Sequence, residues 1–218
     1  MTNKKERVIC YIDGYNLYFG INHYRATKPW RKYLWLDLFA FGQSILKSSQ
    51  VLEEVKYFTT RIKNDPAKTK RQATYLDAIK NAGNVLIYEG YFSKGRYYCY
   101  NCKSSELCLK CGLRQKKITE KQSDVNLATE LIFDACNNRF DVAILVGGDT
   151  DFVHPVRRVV AMGKKVHVLF PPDRMSGDIC KVASSYGTIF TRSLRNHQYP
   201  EKIKLASRIV ITKPGEWR

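Results

Sequence analysis

The sequence predicts an α/β fold built on a doubly wound parallel sheet, with helices on both faces and one small insertion. Three observations carry that expectation. Short apolar runs rich in β-branched residues alternate with stretches of helical periodicity, the pattern of right-handed βαβ crossovers. Two of the runs end in acids: Asp13 closes Val8-Ile9-Cys10-Tyr11-Ile12, and Asp149 and Asp151 follow Val142-Ala143-Ile144-Leu145-Val146-Gly147-Gly148. Residues 92–122 break the alternation and hold four of the seven cysteines.

Strands are expected at 7–13, 54–61, 84–91, 141–147, 165–170 and 187–190. Helices are expected at 35–48, 67–82, 123–137, 151–162 and 177–184. Asp65-Pro66 reads as a helix start, because proline suits the first turn. Asn81-Ala82-Gly83-Asn84 reads as its stop. Ser123 is the expected N-cap of the third helix, with Asp124 favourably placed in its first turn. Residues 191–218 form a basic C-terminal extension, in which Ile209-Val210-Ile211 reads as an edge strand.

Composition narrows the partners. Lys and Arg number 37 against 20 Asp and Glu, a net charge of +17, which favours a polyanion and nucleic acid first. No apolar run reaches the roughly 18 residues of a membrane span. The charged N-terminus leads into a strand without the apolar core of a signal peptide. Seven cysteines, an odd number, argue against a disulfide framework. A cytoplasmic protein with no membrane partner is expected, with Cys10, Cys136 and Cys180 as buried thiols.

The acids define the chemistry. Ligands of parallel α/β sheets bind outside the carboxyl ends of the strands, so Asp13, Asp149 and Asp151 should converge there. Gly14 allows a sharp turn that brings Asn16 back to the same crevice. On the helix at 123–137, Asp124 shares a face with Ala128, Leu131 and Ala135, a small apolar face suited to the sheet. Glu130 lies ~120° from Asp124 on that wheel and is expected as a supporting or surface acid. Each motif has an ordinary explanation too, since turns favour Asp, Gly and Asn and helix starts favour acids. Clustered carboxylates repel one another, and a divalent cation is the usual relief. Mg²⁺ or Mn²⁺ is therefore the expected cofactor.

Together, Asp13-Gly14-x-Asn16, Ser123-Asp124-Val125 and Gly148-Asp149-Thr150-Asp151-Phe152 resemble the NYN domain of the PIN-like nuclease superfamily, which includes the bacterial LabA-like proteins. The resemblance spans residues 6–190 outside the insertion and implies a PIN-like, Rossmann-like fold. It implies a metal-dependent endoribonuclease, with RNA ahead of DNA as substrate and 5′-phosphate and 3′-hydroxyl products. Carried over by position, Asp13, Asp124, Asp149 and Asp151 are the metal-site acids and Asn16 supports them. Many members of the family have an acid at the position of Glu130, so the resemblance gives it more weight than the helical wheel does.

The insertion carries a separate signal. Cys99-x2-Cys102-x5-Cys108-x2-Cys111 has the paired spacing of a four-thiolate Zn²⁺ site, with an iron–sulfur cluster as competitor. Four sulfurs leave tetrahedral zinc no open position, so its expected role is structural. Lys94, Arg96, Tyr97, Tyr98, Arg114, Lys116, Lys117 and Lys121 interleave charge with rings, which suits nucleic-acid docking. The same rings could instead pack the zinc knuckle. Two other functions fit the sequence: a zinc-bearing nucleic-acid-binding or scaffold protein with a vestigial site, and a nuclease acting on DNA.

Overall fold

The computed structural model describes the backbone of residues 5–23, 28–63, 65–98 and 115–218, and their side chains apart from 23, 28, 29, 92–98 and 115–121. The first strand, β1 (Glu6–Asp13), alternates its side chains between two cores. Val8, Cys10 and Ile12 enter one hydrophobic cluster, Ile9 and Tyr11 the other. A strand buried on both faces explains the unbroken apolar run in the sequence.

The first cluster lies under α1 (Gly14–His23), α2 (Leu38–Ser44) and α3 (Pro66–Ala82), which contribute Leu17 and Ile21, Leu38 and Phe41, and Leu76 and Ile79. The second lies under α4 (Ser123–Cys136), α5 (Val153–Ala161) and the short α6 (Gly177–Cys180), through Leu127 and Leu131, Val156 and Val159, and Ile179. Between these layers runs a sheet made of β1, β2 (Gln50–Thr60), β3 (Val85–Tyr98), β4 (Gln115–Lys121), β5 (Val142–Val146), β6 (Lys165–Phe170) and β7 (Ser185–Thr188). Its order is β4-β3-β2-β1-β5-β6-β7, and only the β3–β4 pairing is antiparallel. The expected α/β class is what the chain adopts. Winding reverses between β1 and β5, so the crevice at their carboxyl ends is the topological switch point.

Several elements differ from the sequence expectation. The helix α1 was not foreseen, because Gly14, Asn16, Gly20 and Asn22 are weak helix formers. Tertiary burial of Leu17 and Ile21 overrides that weakness. The helix expected at 35–48 is reduced to α2, because Asp37 caps it by accepting from the amides of Phe39 and Ala40 at 3.1 and 3.0 Å. Strand β2 starts at Gln50 rather than 54: Glu6 pairs with Gln50, and the register shifts further along, between Val8 and Ile9. The helix at 177–184 shortens to α6, and the strand at 187–190 moves to Ser185–Thr188.

Ser123 is not the N-cap of α4. Gln122 is, with φ 77°, and its own side chain makes no capping hydrogen bond. The buried face of α4 is also rotated from the expected one: Leu127, Leu131, Asp134 and Ala135 are buried, while Asp124 and Ala128 are only half-buried. Asp65 and Gly83 do bracket α3 as the sequence predicts, Gly83 with φ 74°. Of the three thiols expected inside, Cys10 is buried, Cys180 is half-buried and Cys136 is exposed at the end of α4. Burial pushes the Cys10 thiol up to about 12.

The insertion at 92–122 is continuous with the sheet where it is described. β3 pairs with β2 as far as Thr60↔Gly90, then runs on to Tyr98, and β4 returns along it from Gln115 to Lys121. The C-terminal segment folds back on the first core rather than adding a strand to the sheet. It forms α7 (Thr191–Asn196), a two-stranded hairpin of β8 (Lys202–Lys204) and β9 (Val210–Thr212), and a 3₁₀ turn at Gly215–Trp217. Trp217 and Tyr199 are buried against Trp35, whose indole N–H donates to Pro200 O at 2.8 Å.

Candidate active site

The site is built where β1 and β5 end side by side. Ile12 pairs with Val146, so Asp13 comes to rest beside Gly147. A Cβ added at Gly147 would stand 3.2 Å from the Asp13 Cβ, tighter than ordinary contact. One added at Gly148 would fall 1.9 Å from Arg174 O, so glycine is obligatory there. At Gly14 it would fall 2.6 Å from Phe58 O and 2.7 Å from the Tyr57 ring. The glycines of both motifs thus let three strand ends close on one another.

Asp13 is 4% exposed. Its Oδ1 accepts from the Asn16 amide at 3.0 Å, the geometry of an N-cap on α1. Asn16 Oδ1 in turn accepts from the Gly148 amide at 3.2 Å, tying the end of β1 to the turn after β5. Asp149, half-buried, caps the 3₁₀ turn Thr150–Phe152 by accepting from the Asp151 amide at 3.0 Å. Asp151 is exposed, and Asp124 stands half-buried in the first turn of α4. Burial and the nearby Asp13 charge push the Tyr57 hydroxyl up. Among the described residues, no three His, Cys, Asp or Glu side chains stand close enough to hold a metal ion together.

Cys99, Cys102, Cys108, Cys111 and Arg114 lie outside the described residues. Lys94, Arg96, Tyr97 and Tyr98 belong to the extension of β3, and Lys116, Lys117 and Lys121 to β4. Tyr97 pairs with Lys116 and Tyr91 with Lys121. Since β3 is parallel to β1, its extension leaves the sheet at the same edge on which Asp13 sits.

Glu130 has a structural partner that the helical wheel did not reveal. Its Oε2 accepts from Lys56 Nζ at 2.7 Å and from the Tyr88 hydroxyl at 3.0 Å. Lys56 is fully buried in β2, and its Nζ also reaches Asp134 Oδ2 at 2.6 Å. Asp134 accepts further from the Tyr11 hydroxyl at 2.6 Å and from Arg139 at 2.9 Å, and Arg139 pairs with Glu54. Burial pulls the Lys56 ammonium down, but its bonds to Asp134 and Glu130 outweigh that and leave it raised. Burial first, then the bond to Asp134, pushes the Tyr11 hydroxyl far up. The signal was available: a lysine inside the apolar strand Val55-Lys56-Tyr57-Phe58 needs a buried acid opposite.

Residues 7–190 match the NYN domain. The chain belongs to that family. An NYN domain is nuclease-like. The chain is 30% identical over 182 residues to 6-hydroxy-3-succinoylpyridine 3-monooxygenase HspA of Pseudomonas putida, covering 71% of this chain and 56% of that protein. It therefore spans little more than half the length of that curated relative. In fold it is similar to a protein of unknown function, VPA0982 of Vibrio parahaemolyticus, with a TM-score of 0.55, 20% identity, and coverage of 88% of this chain and 97% of the other. Among the described residues of this NYN protein, no helix is long and apolar enough to cross a membrane.

Proposed function

We propose that this NYN protein is a Mg²⁺- or Mn²⁺-dependent endoribonuclease whose reaction takes place at the β1/β5 switch point. The observation that carries the reading is the meeting of Asp13 with the Gly147-Gly148-Asp149 turn, linked through Asn16. Carboxylate and amide oxygens are the donors that hard divalent cations take. Mg²⁺ keeps several waters and takes one or two carboxylates plus phosphate oxygens. That habit needs no closed cage from Asp13, Asp124, Asp149 and Asp151, and among the described residues no three such side chains group together. When bound, such an ion supplies Lewis acidity at the phosphate and neutralises developing charge.

The chain's own groups do the positioning. The Asn16 amide holds one oxygen of Asp13, which fixes that carboxylate at the strand end. Because Asn16 Oδ1 is engaged by Gly148, its Nδ2 is left to donate to a phosphate oxygen. The net charge of +17 draws the polyanion in, and the β3–β4 hairpin carries Lys94, Arg96, Lys116, Lys117 and Lys121 along the approach. The cysteine pairs that lie between β3 and β4 in sequence fit one structural Zn²⁺.

The test is cleavage of labelled single-stranded and hairpin RNA with Mg²⁺ or Mn²⁺, with and without EDTA. Asp13→Asn and Asp149→Asn are expected to abolish cutting while RNA binding persists. Equal cutting by wild type and both variants would overturn the reading.

The name of the curated relative favours a second reading, hydroxylation of a pyridine ring. The strand order is also that of dinucleotide-binding sheets. Against it, β1 is followed by Gly14-Tyr15-Asn16-Leu17-Tyr18, without the glycine pattern that receives a pyrophosphate. Oxygen uptake with 6-hydroxy-3-succinoylpyridine and a reduced nicotinamide, in a preparation that leaves RNA intact, would favour the oxygenase.

A further inference from the structure

A cleft of about 650 Å³ opens on the α1 side of the sheet, one residue from Asp13: Gly14 lines it, and so does Tyr57, which packs on Gly14. Its size falls within the ~300–1,000 Å³ of small-ligand sites. One wall is the face of α1 that carries Tyr15, Tyr18 and Asn22, at helical spacings of three and four. The opposite wall is the first turns of α3, with Lys68 and Arg71. Tyr75 and Trp217 are buried at its base, where Tyr75 donates to Leu36 O at 2.8 Å.

The charges at the rim differ in availability. Arg71 is committed to Glu216 at 2.7 Å. Lys68 has only a loose, exposed pairing with Asp65 at 3.4 Å. Arg31 is exposed and has no acidic partner among the described residues. Rings on the walls and available cations at the mouth together match a planar ring that carries an anion. The cleft also opens at the edge where a phosphodiester would lie.

We propose that this cleft is a nucleotide subsite, which takes one unstacked nucleobase against the Tyr15 and Tyr18 wall and the attached phosphate on Arg31 and Lys68. The identity of the ring as a nucleobase rests on the nuclease reading. Binding by the cleft itself does not require cleavage, because Tyr18 and Arg31 lie outside the acid site. A base held there would fix which phosphodiester reaches Asp13, so the subsite would set the cleavage position within a single strand.

The experiment is calorimetric titration of the full chain with AMP, with UMP and with nicotinate, in EDTA so that no cation holds the phosphate. Saturable binding of both mononucleotides is expected. Tyr18→Ala should weaken it by roughly 5- to 100-fold, the loss of one stacking partner. Arg31→Ala should weaken it by about tenfold, the loss of one charge-assisted bond. Arg31 is exposed, so its variant keeps the wild-type melting temperature and serves as the folding control. No mononucleotide binding, binding by both variants as tight as by wild type, or tighter binding of nicotinate than of either mononucleotide would overturn the proposal. If the mononucleotides bind as expected but wild type leaves RNA uncut, the subsite stands and the nuclease reading falls.

Discussion

Lys56 Nζ lies 2.6 Å from Asp134 Oδ2, and neither side chain reaches solvent. A charge pair in the core joins β2 to α4, the helix whose first turn carries Asp124. Removing one partner strands the other, at a cost of about 3–5 kcal/mol, whereas replacing both with apolar groups is often neutral. Lys56→Met should therefore unfold at markedly lower urea, and Lys56→Met with Asp134→Leu should recover much of the loss. A double variant no more stable than Lys56→Met alone would show that Tyr11, Arg139 and Glu130 need the pair intact.

The turn glycines should separate into two classes. Gly148→Ala would place a methyl 1.9 Å from the Arg174 carbonyl oxygen, so the turn that bears Asp149 must shift. Stability should fall by about 1–3 kcal/mol, and RNA cleavage should fall with it. Gly163 has φ 81° but nothing within 4 Å of an added Cβ. Gly163→Ala should cost about 1 kcal/mol or somewhat more, from backbone strain alone, and leave cleavage per folded molecule unchanged. Urea titration and cleavage rates on the same preparations check both.

A defined acid sensitivity follows from Asp141. The side chain and amide of Arg7 hold its carboxyl at about 2, below the ordinary 3.8. Because the folded value is depressed, the stabilisation is present above pH 3.8 and is lost as pH falls towards 2. The gap in urea midpoint between wild type and Asp141→Asn should therefore shrink across that window. The pair is partly exposed, 29% and 38%, so the whole gap should be small.

Trp217, one residue from the end of the chain, is only 7% exposed and packs on Trp35 and Tyr75. Trp217→Ala should cost about 3–5 kcal/mol, as for a buried aromatic ring. A thermal shift within error of wild type would mean that the C-terminal segment contributes nothing to the core.

Asn16→Ala should leave the fold intact but loosen the link between the end of β1 and Gly148. Loss of such a supporting contact typically costs 10–100-fold in activity. Cleavage rates at saturating Mn²⁺ check it, and an unchanged rate would remove Asn16 from the reaction.

The parallel sheet was legible because β1 and β5 are buried on both faces and so read as unbroken apolar runs. The placing of Asp13 at the end of β1 and of Asp149 just beyond β5 was legible for the same reason. The helix α1 was not, because its glycines and asparagines hide two buried apolar residues, Leu17 and Ile21. Asp134 was passed over because helical periodicity reports on apolar residues, and a buried acid is visible only once its lysine partner is known. The aromatic cleft was beyond reach as well, since it joins Tyr18, Lys68 and Trp217 from three distant parts of the chain.

Asp13 joins a proposed job to an observed one: the same carboxylate proposed for the chemistry accepts the amide that begins α1. Any variant made to silence the chemistry is therefore also an edit to a helix. Asparagine keeps an oxygen for the Asn16 amide, whereas alanine forfeits it at about 1 kcal/mol. An inert Asp13→Ala protein would thus be ambiguous evidence of catalysis, and only the asparagine form isolates the lost charge.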